Sequence, residues 1–278
     1  MSEMNLLNLA VDTYNRLLPE LRQKLNQERQ TTWTRATALG TPRLSQMLEQ
    51  IQPVPFQTII IGDCQDGLPF LFDLTQPENG AVLVTGDANC GKTYQLQVMV
   101  ESALRLYSPH QVQTAVITEH PEDWKAILAS PSRSKYCHGI HSWHDRQTTN
   151  LVLELVSLAE DRRNGRRRGA QVLLVIDDLP GVLDWDYEVQ VNLHWLLQYG
   201  PQSGVWPLVS IGASQAQEMH YWVDVFRTRL LGRIDSMTLA NDLGLFEGNR
   251  CAQLNAPHEF IVWIGSDWIT YDLPALDH

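Results

Sequence analysis

The sequence predicts an α/β fold, a mostly parallel sheet with helices on both faces. Three observations carry that expectation. From residue 81 to residue 211, short apolar runs rich in β-branched residues alternate with segments of helical periodicity, the pattern of strand–helix–strand units. One run, Val172–Ile176 (VLLVI), is apolar without interruption, as suits a central parallel strand covered on both faces. A glycine-bounded octet, Gly86-Asp-Ala-Asn-Cys-Gly-Lys-Thr93, stands between another such run and a helical segment.

Composition narrows the class. The chain has 278 residues, 44% hydrophobic and 19% charged, enough to bury a core without disulfides or metals as staples. Its net charge of −11 excludes a protein that coats nucleic acid with its whole surface; any DNA contact has to use a local basic patch. Cys64, Cys90, Cys137 and Cys251 make no C-x-x-C pair, so a reducing, cytoplasmic location is expected. The opening MSEMNLLNLAVDTYNRLLPE lacks the basic and apolar regions of a secretory signal. No run of about 18 apolar residues exists, so no integral membrane segment is expected.

The elements follow in order. Residues 4–30 read as a helix or helical hairpin, with Leu6, Leu9, Leu17, Leu18, Leu21 and Leu25 near helical spacing and Pro19 starting or kinking a helix. Residues 43–51 form a further short helix, broken by Gln52-Pro-Val-Pro55. The predicted division is a helical extension over 1–55 and an α/β domain over 56–278. QTIIIG (57–62) and LPFLFDL (68–74) flank an Asp66-Gly67 turn and read as a hairpin. AVLVT (81–85) is a strand, 92–107 a helix, VQTAVIT (112–118) a strand, 121–129 a helix and 135–143 a weak strand. Residues 147–163 carry a helical stripe of Leu151, Leu155, Val156, Leu158 and Ala159. After VLLVI come a helix over 187–199, a strand over 206–211 and a helix over 222–231. Residues 260–265 and 268–272 form a closing C-terminal hairpin turning at Ser266-Asp267.

Two motifs carry chemistry. The octet Gly86, Asp87, Ala88, Asn89, Cys90, Gly91, Lys92 and Thr93 matches G-x-x-x-x-G-K-[S/T] in its required place, after a strand and before a helix. Its amides and the helix N-terminus can cradle phosphate oxygens. Lys92 would reach the β- and γ-phosphates and Thr93 would give a hydroxyl to Mg²⁺. A Gly-rich turn of no chemical role is the plain alternative. Val172-Leu-Leu-Val-Ile-Asp-Asp178 is an apolar strand ending in acids. Asp177 would hold Mg²⁺, and Asp178 would orient the attacking water or merely cap the turn at Pro180-Gly181. A nucleoside triphosphate with Mg²⁺ is thus expected as cofactor. Leu208–Gln215 (LVSIGASQ) is a strand with a polar exit, and the extra strand 112–118 lies between the two motifs in sequence. Gln215 is the candidate sensor of the nucleotide, with Ser214 behind it. Arg162–Arg168 (RRNGRRR) is the dense basic run, either a phosphate-backbone contact or a solvated loop. Cys137, His138, His141 and His144 are not read as a metal site, because Gly139 breaks the helix that spacing would need.

These pieces, taken in order over roughly residues 57–272, resemble the FtsK/SpoIIIE–HerA superfamily of hexameric DNA- and substrate-pumping ATPases. GLPFLFDLTQPENGAVLVTGDANCGKT looks like that family's strand, "DL" element and P-loop; HGIHSWHDRQTTNLVLELVSLAEDRR like its helix with paired arginines; VLLVIDDLPGVLD like its Walker B segment; VWPLVSIGASQAQEM like its strand leading to "ATQRP"; and FRTRLLGRIDS like its "PTRIAFRV" region. The resemblance implies a RecA-like core, ATP as nucleotide and a homo-oligomeric, hexameric ring with nucleotide between subunits. Arg229 or Arg233 would then act in trans on a neighbour's γ-phosphate, because guanidinium stabilises phosphoryl charge without losing its proton. The implied function is a DNA translocase-type motor, with further protein partners through the N-terminal helices. Two rivals are kept. One is a non-motor ATP-dependent switch or scaffold with slow hydrolysis, which the acidic balance and Asp178 in place of the family's Glu favour. The other is a nucleotide or small-molecule kinase.

Overall fold

The computed structural model describes residues 41–54, 57–128, 132–244, 250–264 and 267–277. The helices expected over 4–30 lie outside the described residues. Ten strands form one sheet: β1 (Thr58–Cys64), β2 (Pro69–Asp73), β3 (Val82–Gly86), β4 (Val112–Thr118), β5 (Cys137–His141), β6 (Gln171–Asp177), β7 (Val205–Gly212), β8 (Thr228–Leu231), β9 (Glu259–Ile264) and β10 (Asp267–Asp272). Their order is β2-β1-β10-β9-β8-β3-β7-β6-β4-β5. The stretch β8-β3-β7-β6-β4-β5 is parallel throughout, and β2-β1-β10-β9 extends it by antiparallel pairing.

Alternation along each central strand feeds two cores, one on each face. Val82 and Val84 of β3 join one cluster and Leu83 the other; Leu173 and Val175 of β6 join the first, Val172, Leu174 and Ile176 the second. All five apolar residues of β6 are fully buried, each adding about 1.5–3 kcal/mol relative to exposure. The first face carries α1 (Leu44–Gln50), α2 (Lys92–Leu106) and α3 (Pro121–Leu128) through Leu44, Leu96 and Trp124. The second carries α4 (Arg146–Arg163) and α5 (Tyr187–Tyr199) through Leu151 and Leu193. Short helices α6 (Ala213–Ala216), α7 (His220–Val223) and α8 (Met237–Asp242) complete the second face. The α/β expectation of helices on both faces therefore holds.

Helix α1 is stitched to the end of the described chain. Leu44 N donates to Ala275 O, and Ala275 N to Pro42 O. Tyr94, in the first turn of α2, donates its hydroxyl to Pro274 O and accepts from Leu276 N. Both ends of the described chain thus brace the helix that follows the glycine loop.

Three sequence expectations need correction or refinement. Residues 222–231 are not one helix. Helix α7 stops at Val223, and 228–231 is strand β8, bonded to β3 on one side and β9 on the other. Without β8, one edge of the central strand β3 would leave its backbone groups unpaired in the core, and that tertiary demand overrides a weak helical spacing. Strand 112–118 does lie between the two motifs in sequence, as β4; in space β4 stands beyond β6, and β7 lies between β3 and β6. The C-terminal hairpin β9–β10 exists, but it joins β8 to β1 inside the sheet rather than closing it from outside.

Candidate nucleotide site

The carboxyl ends of β3, β7, β6 and β4 lie level. Gly86 pairs with Gly212, Ile176 with Val209 one step before Asp177 and Ser210, and Asp177 with Thr118. In open α/β sheets ligands bind at this end. A cavity of about 420 Å³ opens there, lined among others by Asp87, Lys92, Thr93, Glu119, Asp177 and Gln215.

The glycine loop forms its floor. Gly91 is the N-cap of α2 with φ +96, and no side chain caps the helix. The helix amides therefore face the cavity, with the positive end of the helix dipole behind them. A Cβ on Gly91 would fall 2.1 Å from Pro257 O, so the close approach of 257 to the loop demands glycine. Lys92 Nζ donates to Gly86 O at 3.2 Å and Asp87 O at 2.9 Å, arching over the loop. Asp87 ties the loop to the segment after β8: its amide donates to Arg233 O at 2.8 Å, and its Oδ2 accepts from Asp235 N at 2.8 Å.

Asp177 is the hub, 7% exposed. Its Oδ1 accepts from Thr93 Oγ1 at 3.1 Å and Ser210 Oγ at 2.8 Å, and its Oδ2 from Trp124 Nε1 at 3.3 Å. Thr93 hydroxyl and Asp177 carboxylate thus converge beside an uncapped helix N-terminus. This hard oxygen pair suits a magnesium ion carried on phosphate, and the amides and Lys92 suit the phosphate itself. The residues present fit the expected group. Ser210 and Trp124 were not candidates from sequence. Ser210 is visible in retrospect as a polar residue inside an apolar strand; Trp124 gives no local signal, because its role exists only once α3 packs on β6.

Asp178 sits at the cavity mouth with a left-handed backbone, φ +79, and its amide donates to Ser210 Oγ at 2.8 Å. Burial first, then the neighbouring Asp177 carboxylate, pushes its carboxyl above the usual range, against the lowering charge of Lys92. Gln215 lines the cavity, and its Oε1 accepts from Gly212 N at 3.1 Å. Ser214 also lines the cavity.

The two arginines differ. Arg229 donates to Phe226, Leu243 and Val223 carbonyls at 3.1–3.3 Å, engaging the whole guanidinium in its own fold. Arg233 is exposed, pairs with Asp235 at 2.8 Å, and its carbonyl accepts from the loop amide of Asp87 in the same chain. The basic run is partly structural. Arg162 donates to Ser203, Gly204 and Ala170 carbonyls, Arg163 lies over Trp195 and Tyr199, and Arg166 pairs with Asp161. The four cysteines form no disulfide. Among the described residues no helix is long and apolar enough to cross a membrane.

No protein-family model matches the chain, and no curated protein matches it. Solved structures share its fold. Thermomonospora curvata EccC (ATPases 2 and 3), in complex with a signal sequence peptide, is 18% identical with a TM-score of 0.63; the match takes in 80% of this chain, which spans only 41% of that one. A protein described as an ATPase gives 14% identity and a TM-score of 0.65 over 85% of this chain and 96% of its own. The pCW3 conjugation coupling protein TcpA, in monomer form with ATPγS, gives 13% and 0.59 over 81% and 67%. At such identities the likeness establishes the fold, which is that of P-loop ATPases, as the motif resemblance implied.

Proposed function

We propose that this chain binds ATP with Mg²⁺ and hydrolyses it as a subunit of a ring-forming, FtsK/HerA-like motor. The observation that carries this reading is the convergence of the Thr93 hydroxyl and the Asp177 carboxylate, 3.1 Å apart, at the uncapped N-terminus of α2. Amides of 86–93 and Lys92 would hold the phosphates, and Thr93 and Asp177 the metal. When bound, the magnesium would neutralise phosphate charge. Asp178 and Gln215 would face the γ-phosphate. Of the two arginines, the exposed Arg233 would be the one to meet phosphoryl charge, in trans within the hexameric ring that we also propose. Residues 1–55 would form the helical extension that meets protein partners, and 56–278 the ATPase domain, in the cytoplasm.

DNA is the proposed polymer. Of the basic run, Arg163, Arg166, Arg167 and Arg168 are exposed, and a net charge of −11 leaves DNA contact to a few such positions. The ATPase rate should therefore rise with added DNA, and the rise should fade between about 50 and 200 mM salt as counterion release weakens binding. Mass measurement with and without ATP reports ring assembly. A rate unchanged across the DNA titration would select the second reading, a switch with slow hydrolysis, which the acidic balance of the chain favours.

Trp124 gives a sharper check on the metal assignment. Trp124→Phe keeps the ring in the core and removes the Nε1 donor on Asp177. Partners of this kind typically set ligand orientation at a cost of about 10–100-fold in metal affinity when lost. The Mg²⁺ concentration for half-maximal ATPase should rise by about that factor, with ATP binding in EDTA unchanged. An unchanged Mg²⁺ dependence would remove Asp177 from the metal.

A further inference from the structure

We propose that Glu119, rather than Asp178, is the carboxylate that activates the attacking water. The inference rests on the ATPase reading above and assigns a residue within it. Glu119 follows the last residue of β4, Thr118, which lies in register with Asp177 of β6. It therefore emerges level with Asp178, on the neighbouring strand, and it lines the same cavity as Lys92, Thr93 and Asp177.

The connection that carries Glu119 is short and fixed at both ends. It spans two residues before α3 begins at Pro121. His120 N donates to Thr118 Oγ1 at 3.1 Å, and Asp123 N to His120 O at 3.1 Å. The helix it leads into is clamped to the metal ligand itself through Trp124 Nε1 and Asp177 Oδ2. So the metal site and Glu119 are held in one frame, as a catalytic group must be. The side chain is exposed to the cavity, and no hydrogen bond or ion pair among the described residues holds it.

Asp178 is less suited to the task. Its side chain is one methylene shorter, and its backbone is pinned in the left-handed region by the bond to Ser210.

In the step proposed, the water oxygen bonds to the γ-phosphorus while the bond from that phosphorus to the β,γ-bridging oxygen breaks. ADP leaves with the electron pair. The water's proton passes to Glu119 and from there to the released phosphate or solvent.

The test compares Glu119→Gln, Glu119→Asp and Asp178→Asn in the full chain, reading affinity for a fluorescent ATP analogue and single-turnover hydrolysis of ATP. Glu119→Gln should bind within about threefold of the parent and hydrolyse about 10²–10⁴-fold more slowly, the usual worth of a general base. Glu119→Asp should recover part of that rate, which a merely structural role would not produce, and Asp178→Asn should lose about tenfold or less. Parent-like hydrolysis by Glu119→Gln, or a larger loss in Asp178→Asn than in Glu119→Gln, overturns the assignment. A parent that binds the analogue but does not hydrolyse overturns it while leaving nucleotide binding intact. A parent that does not bind overturns the ATPase reading as well.

Discussion

Lys92→Ala is expected to abolish nucleotide-dependent behaviour while leaving the fold in place. The ammonium arches over the loop, bonded to Gly86 O and Asp87 O, and is only half-buried, so its loss removes little packing. Facing phosphate, the same group is one partner of a desolvated charge pair, and removing one partner of such a pair costs about 2–5 kcal/mol. At about 1.4 kcal/mol per tenfold, affinity should fall from about 30-fold to several thousandfold. A ligand at 100 times its Kd adds about 2.7 kcal/mol of stability, which for a domain of this size raises Tm by about 5–10 °C. The parent should show that rise with Mg-ATP, and Lys92→Ala at the same ligand concentration should keep at most about 3 °C of it. A mutant with parental affinity would remove the phosphate loop from its role, whatever the fold resemblance.

What could be read from sequence and what could not divide along the range of the interactions. The loop 86–93 and the strand ending in Asp177 are local patterns, and the role proposed for each depends on residues adjacent in the chain. Strands β3, β4, β6 and β7 are legible because each is buried on both faces and carries its own apolar run. Strand β8 is not: Thr228-Arg-Leu-Leu231 has four residues and two charges' worth of ambiguity in its neighbourhood, and only the open edge of β3 makes it a strand. The placement of the C-terminal hairpin between β8 and β1 has the same origin, since strand order leaves no trace in periodicity. At the site, Lys92, Thr93 and Asp177 were legible; Ser210, Trp124 and Glu119 come from three other elements and meet Asp177 or its cavity only after the sheet forms. Arg229 shows the converse. Its type and position suit phosphate chemistry, but three carbonyls claim it.

The second large effect is on stability and lies on the same helix as the loop. Glu101 is buried in the middle of α2, 2% exposed. Arg105 donates to its Oε1 at 2.7 Å, and Arg133 brackets both of its oxygens while also donating to Ile127 O at 3.0 Å. Arg105 reaches on to Asp277 at 2.9 Å. One buried carboxylate thus joins α2, the end of α3 and the chain's C-terminal segment. Burial alone would raise its carboxyl; the hydrogen bonds and charges of Arg133 and Arg105 outweigh it and hold Glu101 below the usual range. Glu101→Ala strands the buried part of two guanidinium groups. Breaking a buried pair in this way costs about 3–5 kcal/mol, and at about 2–4 °C per kcal/mol Tm should fall by about 6–20 °C. The pH dependence fixes the cause. A group whose folded pKa is depressed stabilises fully above its unfolded value, here 4.5, and loses that contribution as pH falls through the lower folded value. The Tm gap between parent and Glu101→Ala should stay constant from neutral pH down to that range and narrow below it. A gap that keeps its full size in acid would assign the loss to packing alone. Because the triad lies away from the cavity, the folded variant should still bind Mg-ATP with parental affinity, whereas Lys92→Ala should show the reverse, an intact fold that does not bind.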